Sequence, residues 1–310
     1  MSEALVFGSV NIDQVVYLTR PPKEGETVEG ESVETFLGGK GANQAVALSR
    51  LGTPVSFVGN VGQDSFGKEL IASLSNEDID LSMLGSVSEK TGTAFINVFD
   101  NSENQIIYIP GANKLTNHKQ VTSESLETAN VVVSQMEVNP NEVERLFVKS
   151  KNCRCLNILN LAPFKKPSNQ LLSKTDVLVL NELEFSLFAD LGASDASDVD
   201  NLKKELKSLN LDNKLSLIVT LGDKGLIYFQ DKQMDFIEAE KVNAVDTVGS
   251  GDCFVGALSY SLLNGKSLKD SCEFANKAAA ISVTKKGVAT SMPKIEEVKS
   301  FFSHLRFSVS

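Results

Sequence analysis

Short apolar runs separated by helical stretches constrain this chain more than any other feature. The runs are ALVFGSV (4–10), VSFVGNV (55–61), NVVVSQM (130–136), CLNILNL (155–161), DVLVLN (176–181) and LSLIVTLG (215–222). Between them lie GANQAVALSRLG, DSFGKELIASLSN, NPNEVERLFVKS, NELEFSLFADLG and SDVDNLKKELKSL, which have helical patterning. Strand, helix, strand in repetition requires right-handed crossovers and gives a parallel sheet covered by helices on both faces. The expected fold class is therefore α/β, with a central, mostly parallel sheet flanked by helices. Ser197 with Asp200 and Ser267 with Asp270 have the spacing of capping boxes, and closing helices are expected at about 251–264, 268–285 and 294–304. The 310 residues suit one large α/β domain or two smaller ones, and neither an internal repeat nor a low-complexity linker divides them.

Two stretches break the rhythm. Residues 15–36, VVYLTRPPKEGETVEGESVETF, hold short alternating strands and turn residues but no helix. Residues 91–110, TGTAFINVFDNSENQIIYIP, read as a hairpin with its turn at DNSEN. AFINVF is apolar at nearly every position, too much for a hairpin with one wet face. A second sheet standing off the main domain, as a lid or a subunit interface, would explain this; a hairpin packed on its own domain would too.

Composition excludes several classes of function. The formal net charge is −10 with no block of Lys and Arg, which argues against a nucleic-acid partner. Four cysteines in this length are no disulfide framework, Cys153-Arg154-Cys155 lacks zinc-knuckle spacing, and His118 and His304 are the only histidines. The thiols suit a reducing cytosol. The N-terminal residues have no basic region, adequate apolar core or cleavage site of a secretory signal, and no stretch approaches the ~20 apolar residues of a membrane span. A cytoplasmic protein without a membrane partner is expected, the nucleus being left open.

Three glycine-containing motifs compete for the chemistry. NGKS (264–267) resembles the end of a phosphate-binding loop, but that loop needs glycine where Tyr260 stands. GKGANQ (39–44) and GSGDCF (249–254) imitate a dinucleotide fingerprint without its third glycine and do not follow the first strand, so a nicotinamide enzyme is poorly supported. GGKGANQAVAL (38–48) is more informative. Gly38, Gly39 and Gly41 allow close approach of a ligand to backbone, Asn43 suits a polyol, and Lys40 adds a movable cation. In NAVDTVGSGDCFVGAL (243–258), Gly249, Ser250 and Gly251 offer successive amides to an anion, and Asp252 follows in the first helical turn. An aspartate there is commonly a cap. A carboxylate beside an anion hole is also what a hydroxyl nucleophile needs for attack on a γ-phosphoryl group.

GGKGAN with VDTVGSGDCFVGAL resembles the two signature motifs of the ribokinase-like (phosphofructokinase-B) carbohydrate kinases. GSVNID (8–13), VGQDSFG (61–67), SQME (134–137), LNLAP (159–163), NELE (181–184), TLGDKG (220–225) and VTKKGVATSMP (283–293) follow in the family's order over the whole chain. The resemblance implies one kinase domain over 1–310, with lid segments at about 15–36 and 91–110 that also pair two subunits. It implies ATP-dependent phosphorylation of a sugar, D-ribose at O5 first. Another sugar or a nucleoside remains an alternative, as does an inactive sugar sensor, which the retention of Asp252, Asn181 and Glu184 disfavours.

Residue by residue, the family's pattern makes Asp252 the general base and Gly249, Ser250 and Gly251 the anion hole. Asn11 and Asp13, at the end of the first strand, would bind sugar hydroxyls with Gly38, Gly39, Lys40, Asn43 and Glu137. Thr220, Leu221, Gly222, Asp223, Lys224 and Gly225 would hold ATP together with Asn181, Gly251 and Asn276. Asn181 and Glu184 would order Mg2+ through its waters. K+ would sit among Asp246, the Val248 carbonyl, Ser282, Lys285, Gly287 and Ser291. Ser250, Cys253 and Leu161 depart from the family's usual residues without removing a functional group. Cys253 beside the base raises the question of thiol sensitivity. Ile96 is expected on the lid's apolar face, where a charge would separate subunits.

Overall fold

The computed structural model describes residues 4–99, 104–191, 199–209 and 214–305. The DNSEN turn, apart from its last residue, and the Ser197 cap lie outside the described residues. The described strands are β1 (Ala4–Phe7), β2 (Asn11–Leu18), β3 (Ser32–Gly38), β4 (Val55–Gly62), β5 (Ile79–Asp80), β6 (Leu84–Val87), β7 (Gly92–Phe99), β8 (Asn104–Ile109), β9 (Val131–Gln135), β10 (Leu156–Asn160), β11 (Val177–Asn181), β12 (Ser216–Thr220), β13 (Gly225–Gln230) and β14 (Gln233–Glu238). The helices are α1 (Lys40–Arg50), α2 (Ser65–Ser75), α3 (Ser123–Thr128), α4 (Pro140–Asn152), α5 (Asn169–Ser173), α6 (Glu182–Phe188), α7 (Val199–Ser208), α8 (Ser250–Leu263), α9 (Leu268–Ser282) and α10 (Ile295–Leu305).

The main sheet runs β14-β13-β12-β11-β10-β9-β1-β4-β5, with β6 pairing farther along β4. It is parallel except at β12–β13 and β13–β14. Successive side chains of its strands enter opposite cores. Ala4 and Val6, Val131 and Val133, and Val177 and Val179 join α1, α2, α8, α9 and α10. Leu5 and Phe7, Val132, and Leu178 and Leu180 join α3 to α7 on the other face. Burial on both faces is why these runs lack polar alternation, and each fully buried Val, Leu or Phe contributes roughly 1.5–3 kcal/mol.

The chain leaves β1 toward β4 on one side and builds β9 to β12 on the other. The strand order therefore reverses between β1 and β9, and the crevice beyond the carboxyl ends of such strands is where open α/β sheets bind ligands.

β3-β2-β7-β8 form a separate sheet, with β2 and β7 parallel and the outer pairs antiparallel. Both off-rhythm segments are in it, but with a correction. β1 ends at Phe7, so Asn11 and Asp13 lie on β2, the lid's own strand, and not at the end of the first strand. The register places Asn11, Asp13, Ala94, Ile96 and Tyr108 on one face of this sheet and Val33, Phe95, Ile107 and Ile109 on the other. Ile96 is only 4% exposed, whereas Val33, Phe95, Ile107 and Ile109 are 62%, 41%, 60% and 48% exposed. The expectation for Ile96 is thus corrected: it shares the inner face with Asn11 and Asp13.

Candidate active site

The site begins where the chain turns out of β1 and α1 starts beside it. Gly39 caps α1 with φ +90°, and a Cβ at Gly41 would stand 2.7 Å from the Gly8 carbonyl carbon. Glycine at both places lets the helix start lie against the Gly8–Ser9 turn. Ala42 N donates to Ser9 O (2.9 Å), Gly41 N to Ser9 Oγ (3.3 Å) and Lys40 N to Glu137 Oε2 (3.1 Å). Ser9 Oγ donates to the same Glu137 oxygen at 2.5 Å. Gly38 faces the Asp13 carboxyl so closely that a Cβ there would overlap it, at 2.1 Å. Asn113 Nδ2 donates to Asn11 Oδ1 at 2.7 Å, and its Oδ1 accepts from Val10 N at 2.9 Å.

The second half of the site is the start of α8. Its cap, Gly249, is left-handed (φ +78°), and no side chain caps the first turn. A Cβ at Gly251 would meet no atom within 4 Å, so the space before these amides is open. Asp252 is buried at 6% exposure, with Oδ2 accepting from Asn43 Nδ2 and Oδ1 from Gln44 Nε2, both at 3.0 Å. The helices can deliver these groups because α8 crosses α1 at Gly256, where a Cβ would stand 2.5 Å from Ala47 Cβ. The structure therefore joins Asn11, Asp13, Gly38, Gly39, Lys40, Asn43, Glu137, Asp252 and the glycine turn in one region.

Burial, reinforced by the charges of Glu137 and Asp252 and opposed by Lys40, raises the Asp13 carboxyl to about 7. Burial works against the Lys40 ammonium, but Asp252, Glu137, Glu184 and Asp13 outweigh it and raise its pKa. Asp13 Oδ1 and Asn43 Oδ1 are buried acceptors without a hydrogen-bond partner among the described residues. Cys253 beside Asp252 is buried, and burial pushes its thiol up to about 12, which makes it a poor nucleophile at neutral pH.

Asn181 and Glu184 form a reciprocal capping box at the start of α6, Asn181 N to Glu184 Oε2 at 2.9 Å and Glu184 N to Asn181 Oδ1 at 2.8 Å. The pair caps α6, and Glu184 also lies within electrostatic reach of Lys40 and Asp252. Thr220 ends β12, and Gly222, Asp223 and Lys224 make a single exposed 3-10 turn that leads into Gly225. Leu221 offers only backbone to this turn, since its side chain is in the core. Gly225 has φ +117° and pairs with Glu238, whose carbonyl accepts from Asn276 Nδ2 at 2.7 Å. Asn276 is thereby tied to the same corner.

Behind the glycine turn, Asp246 accepts from Val248 N (3.0 Å) and Gly287 N (3.1 Å), joining the two expected cation-site loops. Ser282 and Ser291 hydroxyls donate to Ala279 O and Val288 O, both at 2.8 Å, and Lys285 Nζ pairs with Glu297.

Comparison with known proteins agrees with this geometry. The pfkB family carbohydrate kinase model matches residues 1–295. The chain belongs to the pfkB family of carbohydrate kinases. A ribokinase of Schizosaccharomyces pombe is 36% identical to this carbohydrate kinase over 98% of both chains, and a deoxyribokinase of Salmonella typhi is 32% identical over 96% and 98%. The structure of Arabidopsis thaliana ribokinase complexed with ribose and ATP superposes on the kinase with a TM-score of 0.86 at 30% identity, covering 97% and 98% of the two chains.

The sequence reading missed Ser9, Gln44, Tyr108, Asn113, Gln135 and Asn160. Ser9, Gln44, Gln135 and Asn160 lie inside quoted motifs; Tyr108, which donates to Glu137 O at 3.2 Å, and Asn113 reach the site only through tertiary folding. A cleft of about 410 Å³ at the opposite end of the sheet, lined by Leu156, Asp176, Lys214 and Ser267 among others, shares none of these residues. Among the described residues, no helix is long and apolar enough to cross a membrane.

Proposed function

We propose that this carbohydrate kinase transfers the γ-phosphoryl group of ATP to O5 of D-ribose. The observation that carries the reading is the pair of unpartnered buried acceptors, Asp13 Oδ1 and Asn43 Oδ1, beside a carboxylate at the mouth of an open, glycine-flanked helix start. Buried acceptors without donors are costly, and a polyol supplies O–H donors to them. Asp252 takes the proton of the primary hydroxyl as its oxygen attacks the γ-phosphorus, the bond to the bridging oxygen breaks, and ADP leaves. The amides of Gly249, Ser250 and Gly251, at the positive end of α8, receive the charge that develops on the phosphoryl oxygens. Asn11 and Asp13 on β2 hold the sugar from the lid side, and Asn43 and Glu137 from the sheet side.

Mg2+ bound with ATP would neutralise phosphate charge. Asn181 and Glu184 would hold its waters, which suits a pair whose capping bonds leave oxygens available. K+ would sit between the 246–248 and 282–291 loops. The donor set fits an oxygen-liganded cation: the Asp246 carboxylate with backbone carbonyls, the Lys285 ammonium being engaged by Glu297. The exposed outer face of the lid would pair two subunits of a cytoplasmic homodimer.

ADP release measured across pentoses, 2-deoxyribose, hexoses and nucleosides tests the reading. Ribose is expected to have the highest kcat/KM. A higher value for 2-deoxyribose or a nucleoside would reassign the substrate, and no turnover with any of them would leave only a sugar sensor.

A further inference from the structure

Asn43, one of two residues holding the Asp252 carboxylate, belongs to the expected sugar site. The other, Gln44, is fully buried and has no assigned part. Its Nε2 donates to Asp252 Oδ1 at 3.0 Å and to Asn160 Oδ1 at 3.1 Å, while its Oε1 accepts from Gln135 Nε2 at 2.6 Å. An amide can be turned over with little change of shape, so its direction has to be set by its partners. Here the direction is imposed from a backbone carbonyl inward. Val179 O can only accept, so Asn160 turns its Nδ2 to it at 3.2 Å and faces Gln44 with Oδ1. That oxygen can only accept in turn, so Gln44 presents its NH2, whose second hydrogen goes to Asp252. Gln135 on the far side supplies the donor that Oε1 requires. The backbone is fixed as well, because a Cβ at Gly256 of α8 would stand 3.1 Å from Gln44 O.

We infer that Gln44, oriented by Asn160 and Gln135, is a positioning residue for the phosphoryl transfer: it acts through Asp252, fixing the carboxylate to the sheet so that its remaining lone pairs face the sugar hydroxyl. The inference rests on the reading of Asp252 as general base. It extends the catalytic apparatus from the two glycine-rich motifs to β9 and β10, which carry Gln135 and Asn160. With Asn43 on one oxygen and Gln44 on the other, the carboxylate plane is set at two points, so it is not free to rotate about its Cβ–Cγ bond as the hydroxyl approaches. Orientation of this kind contributes to rate and little to ground-state affinity.

Gln44→Glu tests it, because it keeps shape and length while replacing a donor with a carboxyl group. Asp252 already lies within electrostatic reach of Lys40 on α1, Asp13 on β2 and Glu184 on α6, and Glu137 acts on both Lys40 and Asp13. A new carboxylate in contact with the base disfavours its ionised form. The acid limb of the kcat–pH profile is expected to move to higher pH, with kcat at pH 7 reduced about 10- to 100-fold and KM for ATP within about twofold of wild type. Asn160→Asp, which cannot donate to Val179 O while ionised, should lower kcat in the same direction by a smaller factor. Folded Gln44→Glu and Asn160→Asp enzymes with the wild-type profile and kcat would overturn the inference. So would failure of both to fold, which would assign Gln44 to the core alone. Wild-type enzyme without sugar-dependent ADP release would instead reject the sugar-kinase reading, so the two failures are distinct.

Discussion

Asp252 has an amide donor on each carboxylate oxygen. Asp252→Asn turns an NH2 toward one of these donors, a change that Asn43 can accommodate by turning its unpartnered Oδ1 to it; ribose and ATP should still bind while kcat falls by at least ~10²–10⁴, the usual contribution of a general base. Single-turnover assays with separate binding titrations check this, and near-wild-type kcat would reject the base. Asp13 makes a different prediction. Burial and two neighbouring carboxylates raise it to about 7, so near neutral pH its proton is shared between populations. Hydroxyl donors from the sugar favour the ionised form. Ribose affinity is expected to fall as pH drops below about 7, and Asp13→Asn should weaken binding and flatten that dependence. Sugar titrations from pH 5.5 to 8.5, chosen as roughly the range bracketing the shifted carboxyl, will show whether affinity follows this group. The sign for stability is opposite. A raised carboxyl pKa means that the folded state binds the proton more tightly than the unfolded chain, so ionised Asp13 destabilises the fold most fully above about pH 7. Asp13→Asn should then raise Tm at pH 8 by a few degrees, a gain expected to vanish near pH 4. A lower Tm for the variant at pH 8 would contradict the assignment. Gly39, Asn43 and Asp252 were legible in the sequence because glycines at a helix start and a carboxylate after them have local meaning. Gln44, Gln135 and Asn160 were not: a polar residue within an apolar run shows its partner only once strands and helix are brought together.

At the scale of elements, the lid shows where reading by pattern stops. Alternation with period two identifies the two faces of a strand but not which one is turned inward. AFINVF is apolar on both, so its orientation had to come from pairing with β2, where Asn11 and Asp13 mark the inner face. That register turns Ile96 inward and leaves Phe95, Ile107, Ile109 and Val33 outward. Exposed apolar side chains on a four-stranded sheet are what the proposed pairing of two subunits would cover. Ile107→Asp, on the outer face, is expected to give monomers with the nucleotide site intact; Ile96→Asp should instead disrupt the inner packing and sugar affinity. Light scattering at micromolar concentration with sugar and ATP titrations separates the two. A wild-type monomer, or an Ile107→Asp dimer of unchanged affinity, would count against pairing through this face. Strand and helix bounds elsewhere moved by only a few residues, since the buried parallel strands are mostly apolar and stand out from the helical stretches between them.

Across the whole molecule, the repetition of strand and helix was enough to expect a parallel sheet, but not that β1 would lie inside it between β4 and β9. That placement follows from long-range pairing, and it is what brings residues near the start of the chain together with Asp252. The same architecture couples the glycine turn at the start of α8 to the loop after α9. α8 and α9 pack side by side, and the loop after α9 returns to the start of α8. Val245 N and Asp246 N donate to Val283 O at 2.7 and 3.1 Å, and Asp246 joins Val248 to Gly287. Gly249 lies so close to this loop that a Cβ would stand 2.3 Å from the Val288 side chain. A cation held by Asp246 and the carbonyls of these loops would therefore fix the backbone that feeds the anion hole, without touching substrate. Its effect should fall on kcat more than on sugar KM. A large, weakly hydrated ion suits a cage of carbonyls, so K+ is expected to raise kcat several-fold while Na+ hardly does, and Asp246→Asn should abolish the difference. Assays in K+, Na+ and tetramethylammonium at constant ionic strength decide the matter. Equal rates in all three, or an Asp246→Asn enzyme that still responds to K+, would remove the cation from the mechanism.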